Sequence, residues 1–169
     1  MAIETVLLAV NDEDDERIER MIDVVLDVAK PLDATVVIAH VIPEDHEELS
    51  TSSVPLAGSS APYILSDDEY ADLLDEYPLE EYDVDDVVAH QKTVQSAVDR
   101  LADTGVDYQI RGAVGEPGDG IVALADEVAA DRVVVSGRHR SPTDKVIFGS
   151  VAQSVLLKSP APVTFVRDN

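Results

Sequence analysis

The chain contains no cysteine in 169 residues. Disulfides, thiol catalysis and thiolate metal sites are therefore excluded. Basic side chains are also scarce. Twelve Lys plus Arg stand against 35 Asp plus Glu, a formal net charge of −23. Only Lys30, Lys92, Lys145 and Lys158 are lysines, and no Lys or Arg occurs between Pro31 and Gln91. So acidic a surface argues against nucleic acid and anionic membranes as partners, since both favour basic surfaces. No apolar run reaches the ~18 residues of a membrane helix. The opening MAIETVLLAVNDEDDE lacks a basic n-region and turns acidic at once, so it reads as a strand rather than a signal peptide. The expectation is a cytoplasmic protein. Catalytic motifs are missing too: there is no GxSxG and no GK[ST] triplet, and Ser150 has no His or Asp at motif spacing. No catalytic residue is assigned. His46 sits among acids, but Asp45-His46-Glu47 is contiguous rather than at ligand spacing, so no metal site is assigned either.

The acids run along the whole chain instead of forming one tail. This distribution favours adaptation to concentrated salt over an ordinary acidic protein. At molar salt the Debye length falls to about 3 Å, which screens the self-repulsion.

Apolar periodicity outlines an α/β chain. Thr5 to Val10 reads as a buried strand, and Ile18, Met21, Ile22, Val25, Leu26 and Ala29 recur at helical spacing, with Pro31 expected to end the helix. Ala34 to Val41 is a second buried strand. Val87, Gln91, Val94, Val98 and Leu101 predict one helix ending near Gly105. Val106 to Val114 reads as a strand. Pro117 suits the first turn of a helix burying Ile121, Leu124, Ala125 and Val128. Residues 131–136 form a further strand, residues after Gly149-Ser150 a helix, and Val163, Phe165 and Val166 the last strand. Strands separated by single helices predict a doubly wound, five-stranded parallel sheet in an αβα sandwich. A ligand belongs at the carboxyl ends of the strands, where the strand order reverses.

The chain is expected to be one domain over 1–169, with an acidic insertion at 43–83 after the second strand. The stretch STSSVPLAGSSAP from Ser50 reads as a loop, and four of five tyrosines (Tyr63, Tyr70, Tyr77, Tyr82) fall in the insertion. It is either a solvated connection or a lid and docking surface; the first is the plainer reading.

Residues 137–150 carry the strongest signal. A β-branched run, Val133 to Val135, enters a loop opened by Gly137 that carries Arg138, His139, Arg140 and Lys145, and closes on Gly149-Ser150 at a helix start. Strand, glycine-flanked loop and helix N-terminus together make an anion site: unpaired N–H groups and the positive end of the dipole face the ligand. Cations concentrated in one loop of an acidic protein point to a phosphate-bearing ligand.

This segment resembles the nucleotide-binding loop of the universal stress protein family, which carries Gly, two residues, Gly, nine residues, then Gly-Ser or Gly-Thr. Gly137, Gly149 and Ser150 match. Arg140 stands where the second glycine belongs, and eight residues, Ser141 to Phe148, replace nine. One position free to adopt positive φ is lost, and a guanidinium is gained. The opening strand and helix, His40-Val41 at the end of the second strand and the Gly115-Glu116-Pro117 turn extend the resemblance.

It implies an adenine-nucleotide alpha-hydrolase-like fold and ATP or AMP, with Mg, as ligand. Ala9, Asn11, Asp12 and Val41 would line one side of the site. Ser136, Gly137, Arg138, His139, Arg140, Gly149, Ser150 and Val151 would line the other. It further implies a stress-response regulatory protein with at most slow ATP hydrolysis, acting as a homodimer through the C-terminal strand, 162–167. If the altered loop prevents binding, the chain is instead a nucleotide-free protein–protein interaction module. Asn11 stands where nucleotide-binding members usually place Asp; it either meets the nucleoside or, with Asp12, caps the first helix. Val41 either packs on adenine or is plain core. The run GEPGDG from Gly115 reads as a turn and helix start.

Overall fold

The computed structural model describes residues 2–11, 15–43, 84–137 and 149–167. Five strands alternate with helices: β1 (Thr5–Ala9), α1 (Asp15–Leu32), β2 (Thr35–Ile42), α2 (Val84–Val88), α3 (Lys92–Ala102), β3 (Tyr108–Val114), α4 (Pro117–Glu127), β4 (Arg132–Gly137), α5 (Ser150–Lys158) and β5 (Val163–Arg167). All strand pairs are parallel, and the order is β3-β2-β1-β4-β5. The doubly wound α/β expectation is met. Chain order runs outward from β1 to one side and then to the other. The reversal therefore falls between β1 and β4, which pair in register at Leu8 and Val134.

Two apolar layers hold the sheet. On one face Val6, Leu8, Val36, Ile38 and Val134 meet Ile18, Met21 and Val25 of α1 and Val94, Ala97 and Leu101 of α3. On the other, Leu7, Ala9, Ala39, Val41, Val133 and Val135 meet Ile121, Leu124 and Ala125 of α4 and Ala152 and Val155 of α5. The strands are apolar at successive positions because both faces are covered.

Two helix boundaries differ from the sequence expectation. Pro31 does not end α1; it lies inside the last turn, and the helix runs to Leu32. Asp33 takes φ 53° and Ala34 N–H donates to the Ala29 carbonyl at 2.9 Å, a Schellman closure made without glycine. α4 closes in the same way, with Ala129 at φ 51° and Ala130 N–H bonded to Ala125. The single helix expected from Val87 to Leu101 is two helices. Gln91 breaks it by adopting an extended conformation, φ −67° and ψ 135°, and its side-chain oxygen accepts from Val94 N–H at 2.9 Å. The Gln91 amide also donates to Thr93 Oγ1 at 3.1 Å, which satisfies a nearly fully buried side chain.

Among the described residues no helix is long and apolar enough to cross a membrane. The insertion lies outside the described residues from residue 44 onward.

Candidate functional site

Of the expected residues, Ala9 and Asn11 lie at the carboxyl end of β1 and Ser136 and Gly137 at that of β4, on either side of the strand-order reversal, and Val41 lies one strand away on β2. Ala9 ends β1, buried in the layer beneath α4 and α5. Val10 follows and is fixed twice: its N–H donates to Ala39 at 2.9 Å, and its carbonyl accepts from His40 Nδ1 at 2.9 Å. His40 is 6% exposed. Asn11 comes next, half-buried, on a backbone whose direction β2 has set. The β1–β4 pairing ends at Leu8 and Val134, and beyond it Asn11 and Gly137 continue from neighbouring strands.

Ser136 and Gly137 end β4, both partly exposed. Gly137 pairs with Arg167 of β5, and the ring of Phe165 lies across its Cα; a Cβ there would come within 2.7 Å of Cε2. This is a packing reason for glycine, independent of any ligand.

Beyond the loop, Gly149 is the N-cap of α5 at φ −62° and ψ 159°, and its carbonyl accepts the first helical bond from Gln153 N–H at 2.9 Å. A glycine brings no capping side chain. By contrast, Gln91 caps α3 and Glu116 caps α4 through their side chains. The N–H groups of Ser150, Val151 and Ala152 have no earlier carbonyl within α5 to bond. Gly149 and Ser150 are exposed, while the Val151 side chain turns toward the core. The expected helix N-terminus is therefore present, with Gly149 and Ser150 exposed and a hydroxyl at its first residue.

Val41 is 2% exposed, and α4 lies directly on it: a Cβ on Gly120 would sit 2.7 Å from both Val41 methyls. Its side chain belongs to the core layer. The GEPGDG run is a turn and helix start: Glu116 Oε2 accepts from Asp119 N–H at 2.8 Å, and Pro117 opens the helix. Lys158 of α5 donates to Asp119 at 2.7 Å, and that carboxylate raises the ammonium's pKa. Asp12, Arg138, His139 and Arg140 lie outside the described residues.

Two contacts were not legible in the sequence. The sequence marks His40 only by its place at the end of the second strand, yet it fixes the end of β1; only the neighbour relation of β1 and β2 reveals it. The sequence marks Phe165 only as part of the last strand, yet it covers Gly137. Among the described residues no cluster of three His, Asp or Glu is arranged to hold a metal.

The model of the universal stress protein family matches residues 2–167. A universal stress protein of Mycolicibacterium smegmatis is 36% identical over 85 residues, half of this chain and 65% of its own length. The stress response protein NhaX of Bacillus subtilis is 26% identical over 152 residues, covering 84% of this chain and 86% of its own. Among solved structures, a universal stress protein from Archaeoglobus fulgidus superposes with a TM-score of 0.62 at 28% identity, over 96% of this chain and 97% of its own. One from the same organism in complex with dAMP gives 0.59 at 24%, over 98% of each chain. A universal stress protein in complex with cAMP gives 0.59 at 22%, over the full length of both.

Proposed function

The chain belongs to the universal stress protein family, and on that premise we propose that it binds an adenine nucleotide, ATP or AMP, as a cytoplasmic stress-response regulator. The observation that carries this reading is the pairing of two features at one end of the sheet. β1 and β4 part there, with Asn11 at the end of one and Ser136-Gly137 at the end of the other. The exposed N-terminus of α5, with Ser150, follows the loop leaving β4. A helix N-terminus offers oriented N–H donors to phosphate. The relatives solved with dAMP and cAMP support adenine nucleotides as the ligand class.

In this reading Ser136, Gly137, Gly149, Ser150 and the N–H of Val151 meet the phosphates. Arg138, His139 and Arg140 supply cationic or polar donors from the loop, since guanidinium groups match phosphate geometry. Asn11 and Asp12 meet the nucleoside. Ala9 and Val41 act from the core by fixing the ends of β1 and β2. Mg enters as the counter-ion of the phosphates. Hydrolysis is not required.

The reading includes a homodimer through β5. Val133 N–H bonds to Pro162 at 2.9 Å, so alternation turns the N–H and C=O groups of Val163, Phe165 and Arg167 away from β4. An outward row of backbone groups pairs with its own copy around a two-fold axis. Leu157 of α5, 77% exposed, adds apolar surface to the helix that precedes this edge.

A second reading rests on Arg140 and the shortened loop: a nucleotide-free interaction module. Gentle purification at high salt, followed by analysis of the released small molecules, separates the two. Retained adenine nucleotide supports the first reading. Its absence, together with no binding of added ATP or AMP, supports the second.

A further inference from the structure

The sheet has two outer strands, β5 and β3, and they are finished differently. Along β3, Val36 N–H donates to Asp107 at 2.9 Å and Gly115 N–H to Ile42 at 2.9 Å. These odd-numbered residues face β2, so alternation turns Tyr108, Ile110, Gly112 and Val114 outward. The outward N–H of Gly112 is taken by a side chain: Asp85 Oδ1 accepts it at 2.7 Å, and Oδ2 accepts from Arg111 Nη1 at 3.2 Å. Asp85 lies in α2, which is seated against the strand. A Cβ on Gly112 would come within 2.8 Å of Val84 Cγ1, Val84 O and Val88 Cγ1. The carboxylate thus occupies the place where a neighbouring strand would offer its carbonyl.

We propose that α2 is a guard on this edge: through Asp85 it closes β3 against strand addition by the β5 edge of a second copy of this chain. The occupant follows from the other end of the same sheet, where Val163, Phe165 and Arg167 turn their backbone groups outward. Both rows carry partly exposed apolar side chains, Tyr108 and Val114 on β3, Val163 and Phe165 on β5. Joining β5 to β3 of the next copy is head-to-tail, so assembly would continue as an open filament rather than stop at two. With β3 guarded, β5 is left to pair with the β5 of another copy, a closed pair; with β3 unguarded, head-to-tail β5–β3 joining competes with that pair. The inference rests on the proposed reading of β5 as the dimerising edge.

The test compares full-length Asp85→Ala and Asp85→Asn with the wild type in high salt. Hydrogen exchange at the Gly112 amide and sedimentation velocity over a range of protein concentrations are the two readouts. Asp85→Ala should speed Gly112 exchange roughly tenfold or more, since a charge-assisted bond is lost. Its sedimentation coefficient should rise with concentration beyond the wild-type value. Asp85→Asn keeps an acceptor for the amide and should match the wild type. Asp85→Ser, shorter but polar, replaces the alanine variant if that one does not fold. Unchanged Gly112 exchange, or faster exchange with wild-type sedimentation, overturns the proposal. Adding Val163→Glu and Phe165→Glu should stop the growth; growth that persists overturns β5 as the occupant. A wild type that is monomeric throughout, beside an Asp85→Ala variant that grows, removes the dimer reading and leaves the guard standing.

Discussion

The ring of Phe165 lies across the Cα of Gly137, with Cε2 2.7 Å from where a Cβ would stand. The last residue of β4, from which the candidate phosphate loop leaves, is thus shaped by the edge strand β5. Gly137→Ala should destabilise the fold by about 1–3 kcal/mol, the usual cost of overpacking. Phe165→Leu in the same chain should recover most of that loss, because the smaller side chain vacates the space. Denaturant unfolding of the two single variants and the double variant measures the coupling. Strictly additive losses would show that the two residues do not press on each other.

At the opposite end of the sheet, Asp131 Oδ2 accepts from Glu4 N–H at 2.8 Å and Thr5 N–H at 3.0 Å. These two bonds favour the charged form and lower the carboxyl's pKa below its ordinary 3.8. The folded state therefore binds the proton more weakly than the unfolded state. Stability from this group is present above pH 3.8 and is lost as pH falls through the lowered folded value. Asp131→Asn should flatten the acid limb of a stability-against-pH curve. An unchanged acid limb would show that the bonds do not persist in solution.

Much of the fold was legible because it depends on local pattern. Leu7 and Leu8, or Val36 to Ala39, are apolar at consecutive positions only where a strand is covered on both faces. What was missed depends on exceptions or on strand order. Gln91 is not a favoured N-cap, so nothing in the sequence marked the break between α2 and α3. Asp33 and Ala129 close their helices at positive φ without the glycine that usually signals it. Among the expected residues Asn11 lies four residues before α1, so it does not cap that helix, whereas Gly149 and Ser150 announced themselves as a helix start. The His40–Val10 and Phe165–Gly137 contacts did not, because each joins neighbouring strands whose adjacency no single segment encodes.

The homodimer reading predicts that charging β5 separates the subunits. Val163 and Phe165 turn their backbone groups to the outside and are partly exposed. Val163→Glu with Phe165→Glu should give the mass of one chain by light scattering, with folded circular dichroism. A folded dimer that survives both changes would place the interface elsewhere.

Thirty-five acids against twelve bases should make stability depend strongly on salt. Diluting from about 1 M to about 0.1 M salt lengthens the Debye length from ~3 Å to ~10 Å. Self-repulsion then reaches across neighbouring side chains, and the melting temperature should fall steadily. A flat melting temperature over this range would remove the argument for salt adaptation.

Calorimetric melting in molar salt, with and without ATP or AMP, tests nucleotide binding most directly. Ligand at about 100 times its Kd stabilises by roughly 2.7 kcal/mol, which for a chain of this length raises Tm by about 5–10 °C. The account predicts such a rise with adenine nucleotide, smaller when Ser150 is replaced by Pro, which removes both hydroxyl and N–H at the first residue of α5. No shift with either nucleotide at millimolar concentration would contradict it.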